Sequence, residues 1–247
     1  MKKREHPKAT AHGSLREVFD DVFVVTGSFE MRFGVPIRFS RNMVVLRQDG
    51  ALTLVHSVRL DEAGLAALEE LGKVEHVIRL AGFHGMDDPF YAERYGAKVW
   101  CLKGQLYTSG LEPPKAENAY YRADVEMDES TELPVRGAKL FTFRSAKVPE
   151  GILVLEREGG ILITGDSLQN WPRVDEYFSF LGGLMMRMMG FIKPHNLGPG
   201  WLRAAKPDAA DVRRILDLDF QHVLPVHGEP VIGGAKEAYR PAIERLG

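Results

Sequence analysis

Short runs of apolar residues, each followed by a glycine-containing turn and a second apolar run, dominate the hydrophobic pattern of this chain. One such passage, residues 46–57, aligns without gaps with residues 155–166, and both have an acidic residue and a glycine at the turn. This arrangement is typical of β-hairpins. A further apolar strand follows in each half, at residues 76–82 and 222–228. The pattern predicts two similar strand–strand–helix–strand halves, which form two sheets packed on each other with helices outside.

The remaining periodicity predicts the elements around these hairpins and the limits of the domain. Strands are expected at residues 22–27, 36–48, 97–102 and 137–143. Helices are expected from Asp61 to Leu71, at residues 208–216 and from about residue 235. Residues 103–137, which include Pro113-Pro114, are expected to be irregular. We expect residues 1–20 to form a disordered tail. Residues 21–247 are expected to form a single domain with an insertion at about residues 170–206.

Apolar side chains within the insertion recur at the spacing of an α-helix, which predicts an apolar stripe along one of its faces. The stripe consists of Phe178, Leu181, Leu184, Met185, Met188, Met189 and Ile192. One interpretation is a helix that lies on the core. The other is a pliable lid or a homodimer face, because methionine adapts to irregular apolar partners. Arg187 and the short length of the stripe argue against a membrane span.

Composition narrows the expected partners and compartment. The 247 residues include 32 Lys and Arg against 34 Asp and Glu, and the resulting net charge of −2 gives no electrostatic reason to expect nucleic acid or an acidic membrane. The single cysteine, Cys101, excludes an internal disulfide. No apolar stretch follows the basic residues 1–6, so we expect no secretory signal and infer a cytoplasmic protein.

Two of the predicted buried strands end in residues that can bind a metal ion. Residues 161–165 are followed by Asp166, and residues 223–226 are followed by His227. Burying an ionised carboxylate is unfavourable unless it is paired or coordinates a metal, and imidazole is a frequent metal ligand. Taken singly, Asp166 could instead cap the next segment and His227 could have a structural role. Their occurrence at corresponding sheet edges favours a shared site.

A third candidate group follows the strand at residues 76–81. The segment reads Phe83-His84-Gly85-Met86-Asp87-Asp88-Pro89. Proline suits the first turn of a helix, which makes Asp88 the natural N-cap of that helix. Because this explanation accounts for Asp88 alone, we expect His84 and Asp87 to face inward as ligands and keep Asp88 as a substitute.

The duplicated strands, the Thr-Gly-Asp strand end at residues 164–166 and the Val-His-Gly at residues 226–228 resemble the metallo-β-lactamase superfamily. The resemblance extends over roughly residues 20–235. It implies an α/β fold, a four-layer αββα sandwich built from two similar ββαβ halves, and hydrolase activity. The family's bridging aspartate falls on Asp166, and its last histidine falls on His227.

The sequence departs from this resemblance at several positions. The family's His-x-His-x-Asp-His motif should fall on residues 81–88, where Asp87 takes the place of the aspartate and Asp88 that of the last histidine. The mid-chain histidine is absent, and Glu150 is the carboxylate that could replace it. His56-Ser57 stands where an acidic residue usually follows the early strand.

The remaining ligands define the expected chemistry. A two-metal site needs about seven or eight ligands, so His84, Asp87, Asp166 and His227 suit a single Zn²⁺ or Fe²⁺ with an open position. Asp87 or Asp88, whichever the metal leaves free, would act as general base. We therefore predict a metal-dependent hydrolase of a small ester, thioester or amide. The alternative is a metal-free, catalytically inactive binding or interaction module with the same fold.

Overall fold

The first of two large β-sheets contains seven strands that neighbour one another in chain order. They are β1 (Arg16–Phe19), β2 (Val22–Phe33), β3 (Val35–Gln48), β4 (Ala51–Val55), β5 (Lys73–Arg79), β6 (Lys98–Leu102) and β7 (Val125–Met127). The strands from β1 to β4 pair antiparallel, and those from β4 to β7 pair parallel. Helices α1 (Glu62–Leu71) and α2 (Asp88–Tyr95) connect β4 to β5 and β5 to β6.

The second half of the chain forms a five-stranded sheet, a small two-stranded sheet and four helices. Its strands are β8 (Ala138–Thr142), β9 (Gly151–Leu155), β10 (Ile161–Thr164), β11 (Leu168–Gln169), β12 (Asn196–Leu197), β13 (His222–Pro225) and β14 (Val231–Ile232). Its helices are α3 (Phe180–Met188), α4 (Pro199–Ala205), α5 (Ala209–Arg213) and α6 (Ala235–Glu244). The larger sheet has the order β14-β13-β10-β9-β8, and β11 pairs with β12.

The predicted duplication is confirmed by the strand pairing. In the first half β3 and β4 form an antiparallel hairpin, and β5 then adds parallel to β4 after α1. In the second half β9 and β10 form the hairpin, and β13 adds parallel to β10. This computed structural model describes residues 6–108 and 115–246. Residues 1–5 and Pro113-Pro114 lie outside the described residues.

Successive side chains on each strand point into different apolar cores. These cores separate four layers of secondary structure. Leu54 on β4 packs with Leu65 of α1 in a core between the helices and the first sheet. Ile161 and Ile163 on β10 face the core between the two sheets, whereas Leu162 faces the core beneath α4, α5 and α6. Successive strand residues point to opposite faces, so one buried strand serves two cores. The predicted αββα sandwich is therefore confirmed.

Several predicted element boundaries need correction. The disordered tail is wrong for Arg16–Phe19, which pair with β2, because Phe19 packs against the core between the sheets. The strand predicted at residues 22–27 is longer than expected, because β2 extends to Phe33 and pairs with β3 along its whole length. The helix predicted from Asp61 to Leu71 is confirmed, and Asp61 caps it, since its carboxylate accepts a 2.8 Å hydrogen bond from the amide of Gly64.

The helix α3 leaves most of its apolar stripe exposed. It approaches β3 through Gly182, where a Cβ atom would lie 2.2 Å from the carbonyl oxygen of Arg38, and it buries Met186. Leu181, Leu184 and Met188 remain exposed. Phe178 is buried, and Met185 and Ile192 pack in the same apolar cluster as Met186. The interpretation of the stripe as a helix that lies on the core therefore holds for these residues, and a lid or dimer face formed by the exposed ones stays a prediction. Within residues 6–108 and 115–246, every helix is too short or too polar to cross a membrane.

Candidate metal centre

Three side chains from three strand ends converge at one edge of the sandwich. His84 lies in the turn after β5, Asp166 follows β10 and His227 follows β13. The Nε2 atom of His84 lies 3.3 Å from Oδ2 of Asp166, and Nε2 of His227 lies 3.2 Å from Oδ1 of the same carboxylate. All three side chains are almost entirely buried. The structure thus brings together three of the four residues that the sequence predicts as metal ligands.

The hydrogen bonding of His227 indicates which of its ring nitrogens is free to bind a metal. Nδ1 lies 3.0 Å from the carbonyl oxygen of Ser40, which can only accept, so Nδ1 carries the proton. In the neutral ring Nε2 is then an acceptor, and it faces Oδ1 of Asp166, a second acceptor, at 3.2 Å. Two acceptors at this distance repel each other unless a proton or a metal cation lies between them.

The distances within the group suit ligands of one ion. Nitrogen and oxygen ligands bind Zn²⁺ at about 2.0 Å, and two such atoms on a tetrahedral ion stand about 3.3 Å apart. The two N···O distances at Asp166 are 3.2 and 3.3 Å. The donor set of two imidazoles and a carboxylate also matches the preferences of Zn²⁺ and Fe²⁺. The residues present therefore fit a metal ion.

Burial and local charge favour the protonation states that bind metal. Burial tends to raise the pKa of Asp166, but the imidazoles of His84 and His227, when they carry a proton, outweigh this effect and hold the pKa well below its usual range. Burial lowers the pKa of His84, and the carboxylate of Asp166 only partly offsets it. An ionised carboxylate and a neutral imidazole both offer lone pairs to a cation.

Asp87, the fourth predicted ligand, is committed to an ion pair. Its carboxylate pairs with the guanidinium of Arg41, and its Oδ2 accepts a 2.9 Å hydrogen bond from the amide of Arg59. Asp87 is 1% exposed and Arg41 is 6% exposed, so neither charge has water to solvate it. A buried guanidinium is costly without a carboxylate partner. The structure therefore assigns Asp87 to Arg41, in place of the predicted roles of metal ligand and general base.

Asp88, the predicted helix cap and catalytic substitute, joins two loops instead. The helix α2 begins at Asp88 and its N-cap residue is Asp87, so the predicted cap is wrong by one residue. The Asp88 carboxylate accepts hydrogen bonds of 2.5 Å from the Ser57 hydroxyl and 2.6 Å from the Tyr107 hydroxyl. Burial raises the pKa of Asp88, although both hydrogen bonds oppose this shift. Its carboxylate holds the loop after β4 against the start of α2.

Glu150 lies beside Asp166, in agreement with its predicted place near the site. Its Oε1 accepts a 2.5 Å hydrogen bond from the amide of Ser167. Its Oε2 is buried and has no hydrogen-bond partner among the described residues. Burial, reinforced by the negative charge of Asp166, raises the pKa of Glu150 well above its usual range. A second carboxyl group, with one oxygen that has no partner among the described residues, therefore lies next to Asp166 and outside the group of three.

Sequence reasoning missed His56, which lies against the same group. His56 directly follows β4, and its ring contacts that of His84 with the centroids 5.2 Å apart. Burial lowers the pKa of His56 well below its usual range, and the nearby His84 lowers it further. A signal was present in the sequence, because the gapless alignment of the two hairpins places His56 opposite Gly165, next to Asp166.

Aromatic side chains cover the His227 side of the group. The ring of Trp171 lies 4.7 Å from that of His227, and Phe39 lies 6.2 Å from it. Trp171 also packs with Phe178 and Met186, which link this wall to the insertion. The insertion therefore borders the site through its buried residues, while Leu181, Leu184 and Met188 remain exposed.

Comparisons with known proteins support the fold. No family model matches the chain, and no curated protein is similar enough in sequence to count as a match. Among solved structures, the DIM-1 metallo-β-lactamase is 13% identical with a TM-score of 0.62, and the match covers 99% of this chain and 100% of that one. A metallo-β-lactamase from Erythrobacter litoralis is 15% identical with a TM-score of 0.60, over 94% and 92% of the two chains. FIM-1 from Pseudomonas aeruginosa, in its mono-zinc form, is 12% identical with a TM-score of 0.61, over 97% of each chain.

These likenesses extend along nearly the whole length of each chain, so the protein has the metallo-β-lactamase fold. Identities of 12–15% speak for the architecture alone. What the site does must be argued from its own residues, because one fold can host many activities.

Proposed function

We propose that this protein is a metal-dependent hydrolase of a small ester, thioester or amide, with one Zn²⁺ or Fe²⁺ held by His84, Asp166 and His227. The observation that carries this proposal is the pair of opposed acceptors, Nε2 of His227 and Oδ1 of Asp166, 3.2 Å apart in a buried site. A cation shared by both atoms turns their repulsion into coordination. The fold neighbours are metallo-β-lactamases, which supports a metal-dependent hydrolase as the class.

The chain's own residues prepare the site for this chemistry. A bound ion would supply a Lewis acid that lowers the pKa of water and polarises a carbonyl group. Three protein ligands leave an open position for water or substrate. The Ser40 carbonyl fixes the tautomer and orientation of the His227 ring through Nδ1, as is usual for metal-binding histidines. Trp171 shields the other side of that ring from water.

Glu150 takes over the acid–base role that the sequence assigned to Asp87 or Asp88. Its Oε2 is free of protein partners within the described residues, whereas Arg41 engages the carboxylate of Asp87 and two hydroxyls engage that of Asp88. A carboxyl group in this environment can hold a proton on Oε2 and exchange it with a neighbouring oxygen.

A metal-free binding or interaction module is the second candidate, and the Arg41–Asp87 ion pair is the observation that favours it. The pair removes one predicted ligand and leaves a group of only three residues that could hold a metal, as far as residues 6–108 and 115–246 show. In that case a proton on an imidazole would separate the acceptors at Asp166.

Elemental analysis of protein purified without a His-tag from metal-replete medium separates the two candidates. The hydrolase proposal expects about one ion per chain, as for a single-metal site. His227→Ala should abolish binding, whereas the control His76→Ala, in β5 and hydrogen-bonded to Trp100, should leave it unchanged. Chelation should also stop hydrolysis of p-nitrophenyl acetate or of a small thioester. Two ions per chain would contradict the single-metal site, and none would support the binding module.

A further inference from the structure

His56 is a buried imidazole whose hydrogen-bonding capacity is unused in the described structure. Its side chain is 3% exposed, and neither Nδ1 nor Nε2 has a hydrogen-bond partner among residues 6–108 and 115–246. A neutral imidazole has one donor and one acceptor nitrogen, so both kinds of group are left unsatisfied. Buried polar groups without partners are rare in native proteins, and an absent ion is one of the recognised explanations.

The position of the His56 ring suits a metal shared with His84. When two imidazoles bind one tetrahedral ion with bonds of about 2.0 Å, the centres of their rings lie about 5.2 Å apart. The His84 and His227 rings, which belong to the candidate group, are 5.1 Å apart. The His56 and His84 rings are 5.2 Å apart. His84 therefore has an imidazole ring on either side at this spacing. The His56 nitrogens lie outside the group whose ligand atoms are all within 4.8 Å of one another, so the His56 ring has to turn toward the ion when it binds.

The backbone holds His56 in this place by contacts that do not involve its ring. His56 has a φ of 57°, in the left-handed region that non-glycine residues rarely adopt. Its amide donates a 3.0 Å hydrogen bond to the carbonyl oxygen of Ile78, and the next residue, Ser57, is bound by Asp88. A strained conformation maintained by neighbouring contacts is a common feature of functional sites.

We propose that His56 is a further ligand of the metal, so that three imidazoles and one carboxylate hold the ion. This inference rests on the proposed function, because it concerns the same ion. The ligand set becomes His56, His84, Asp166 and His227, and water or substrate would then take a fifth position, to which catalytic zinc sites can expand. An imidazole from the end of β4 thereby takes the place of the mid-chain histidine that the sequence lacks. The Asp88 carboxylate then acts as a positioning residue for His56, since it anchors Ser57.

The test compares metal affinity in His56→Asn and a matched control. Asparagine removes the imidazole but tolerates positive φ, so the backbone can keep its conformation. The control is His195→Asn, because His195 also has a positive φ, 47°, and its ring contacts Tyr239 instead of His84. Zn²⁺ affinity is measured by competition with a chromophoric chelator. Loss of residues that merely support a ligand weakens metal binding by about 10–100-fold, so loss of His56 should weaken it by about 100-fold or more.

A measurement on the unaltered protein guards against a variant that does not fold. Histidine ring ¹⁵N shifts are recorded by NMR before and after addition of Zn²⁺, and the variants assign the signals. Metal-bound nitrogens should appear in three imidazoles, including that of His56. Two results would overturn the role of His56 and leave the proposed function standing. One is metal-bound nitrogens in His84 and His227 alone, and the other is a Zn²⁺ affinity of His56→Asn equal to that of the control. Absence of Zn²⁺ binding by the unaltered protein would overturn both.

Discussion

Breaking the buried Arg41–Asp87 ion pair tests whether Asp87 is a structural partner or a metal ligand. In Asp87→Ala the guanidinium of Arg41 stays buried without its carboxylate, and the amide of Arg59 loses its acceptor. Removing one member of a buried ion pair costs about 3–5 kcal/mol, and an unsatisfied buried amide adds about 1 kcal/mol. We expect the free energy of unfolding to fall by about 4–6 kcal/mol, a large share of the roughly 5–15 kcal/mol that stabilises a domain.

Urea unfolding of the metal-free protein, followed by circular dichroism and tryptophan fluorescence, measures this cost without any contribution from ligand binding. Arg41→Ala should lower the free energy of unfolding by a similar amount. The double variant Arg41→Ala with Asp87→Ala should lower it by at least about 2 kcal/mol less than the sum of the two single effects. The double replacement Arg41→Met with Asp87→Leu should recover much of the loss, because an apolar pair leaves no buried charge. Glu156→Ala provides the control. It breaks the exposed pair with Lys139 and should cost less than about 1 kcal/mol.

A free energy of unfolding for Asp87→Ala within about 1 kcal/mol of that of the unaltered protein would contradict a buried ion pair between Arg41 and Asp87. If the same variant also lost its bound metal, Asp87 would be a ligand, as the sequence predicts. A large loss of stability with additive single costs would show that Arg41 and Asp87 act independently. The double-variant comparison therefore separates pairing from simple burial.

Other perturbations test the roles of the remaining groups. Asp88→Ala should lower the free energy of unfolding by about 3 kcal/mol, not the roughly 1 kcal/mol of a lost helix cap, because the buried Tyr107 hydroxyl loses its acceptor. Without metal, the neutral His56 makes the folded state less stable as the pH falls below 6.5, since only the unfolded chain then gains that proton. His56→Asn should therefore reduce the slope of the free energy of unfolding against pH by up to about 1.4 kcal/mol per pH unit in this range. An unchanged slope would contradict a buried neutral ring. Met188→Lys should change stability by less than about 0.5 kcal/mol, whereas the buried Met186→Ala should cost about 2–5 kcal/mol. Similar costs at these two positions would show that α3 does not expose its stripe.

The sequence by itself determined the layered fold and three members of the site, His84, Asp166 and His227. Strand and helix periodicity are local properties, so the two hairpins and the ββαβ duplication could be read without knowing any long-range contact. Asp166 and His227 could be predicted because each directly follows an apolar strand. Once two such strands pair in parallel, their ends must lie at the same edge of the sheet.

Only the tertiary structure decided the partners of the neighbouring aspartates. Asp87 and Asp88 are adjacent in the chain, yet one pairs with Arg41 on β3 and the other binds Ser57 and Tyr107. These partners come from three separate segments. The pairing depends on sheet register and on which group arrives within hydrogen-bonding distance, and neither is encoded in the spacing of two adjacent carboxylates.

His56 and the helix α3 also depended on the assembled fold. The left-handed backbone of His56 follows from packing after β4, and it determines whether the ring enters the site or points away. The periodicity of α3 predicted an apolar stripe, but close approach at Gly182 turned Met186 inward and left Met188 outside. Periodicity shows which side chains share a face. The direction of that face is decided by the surface against which the helix packs, because the backbones approach most closely where a residue has no side chain.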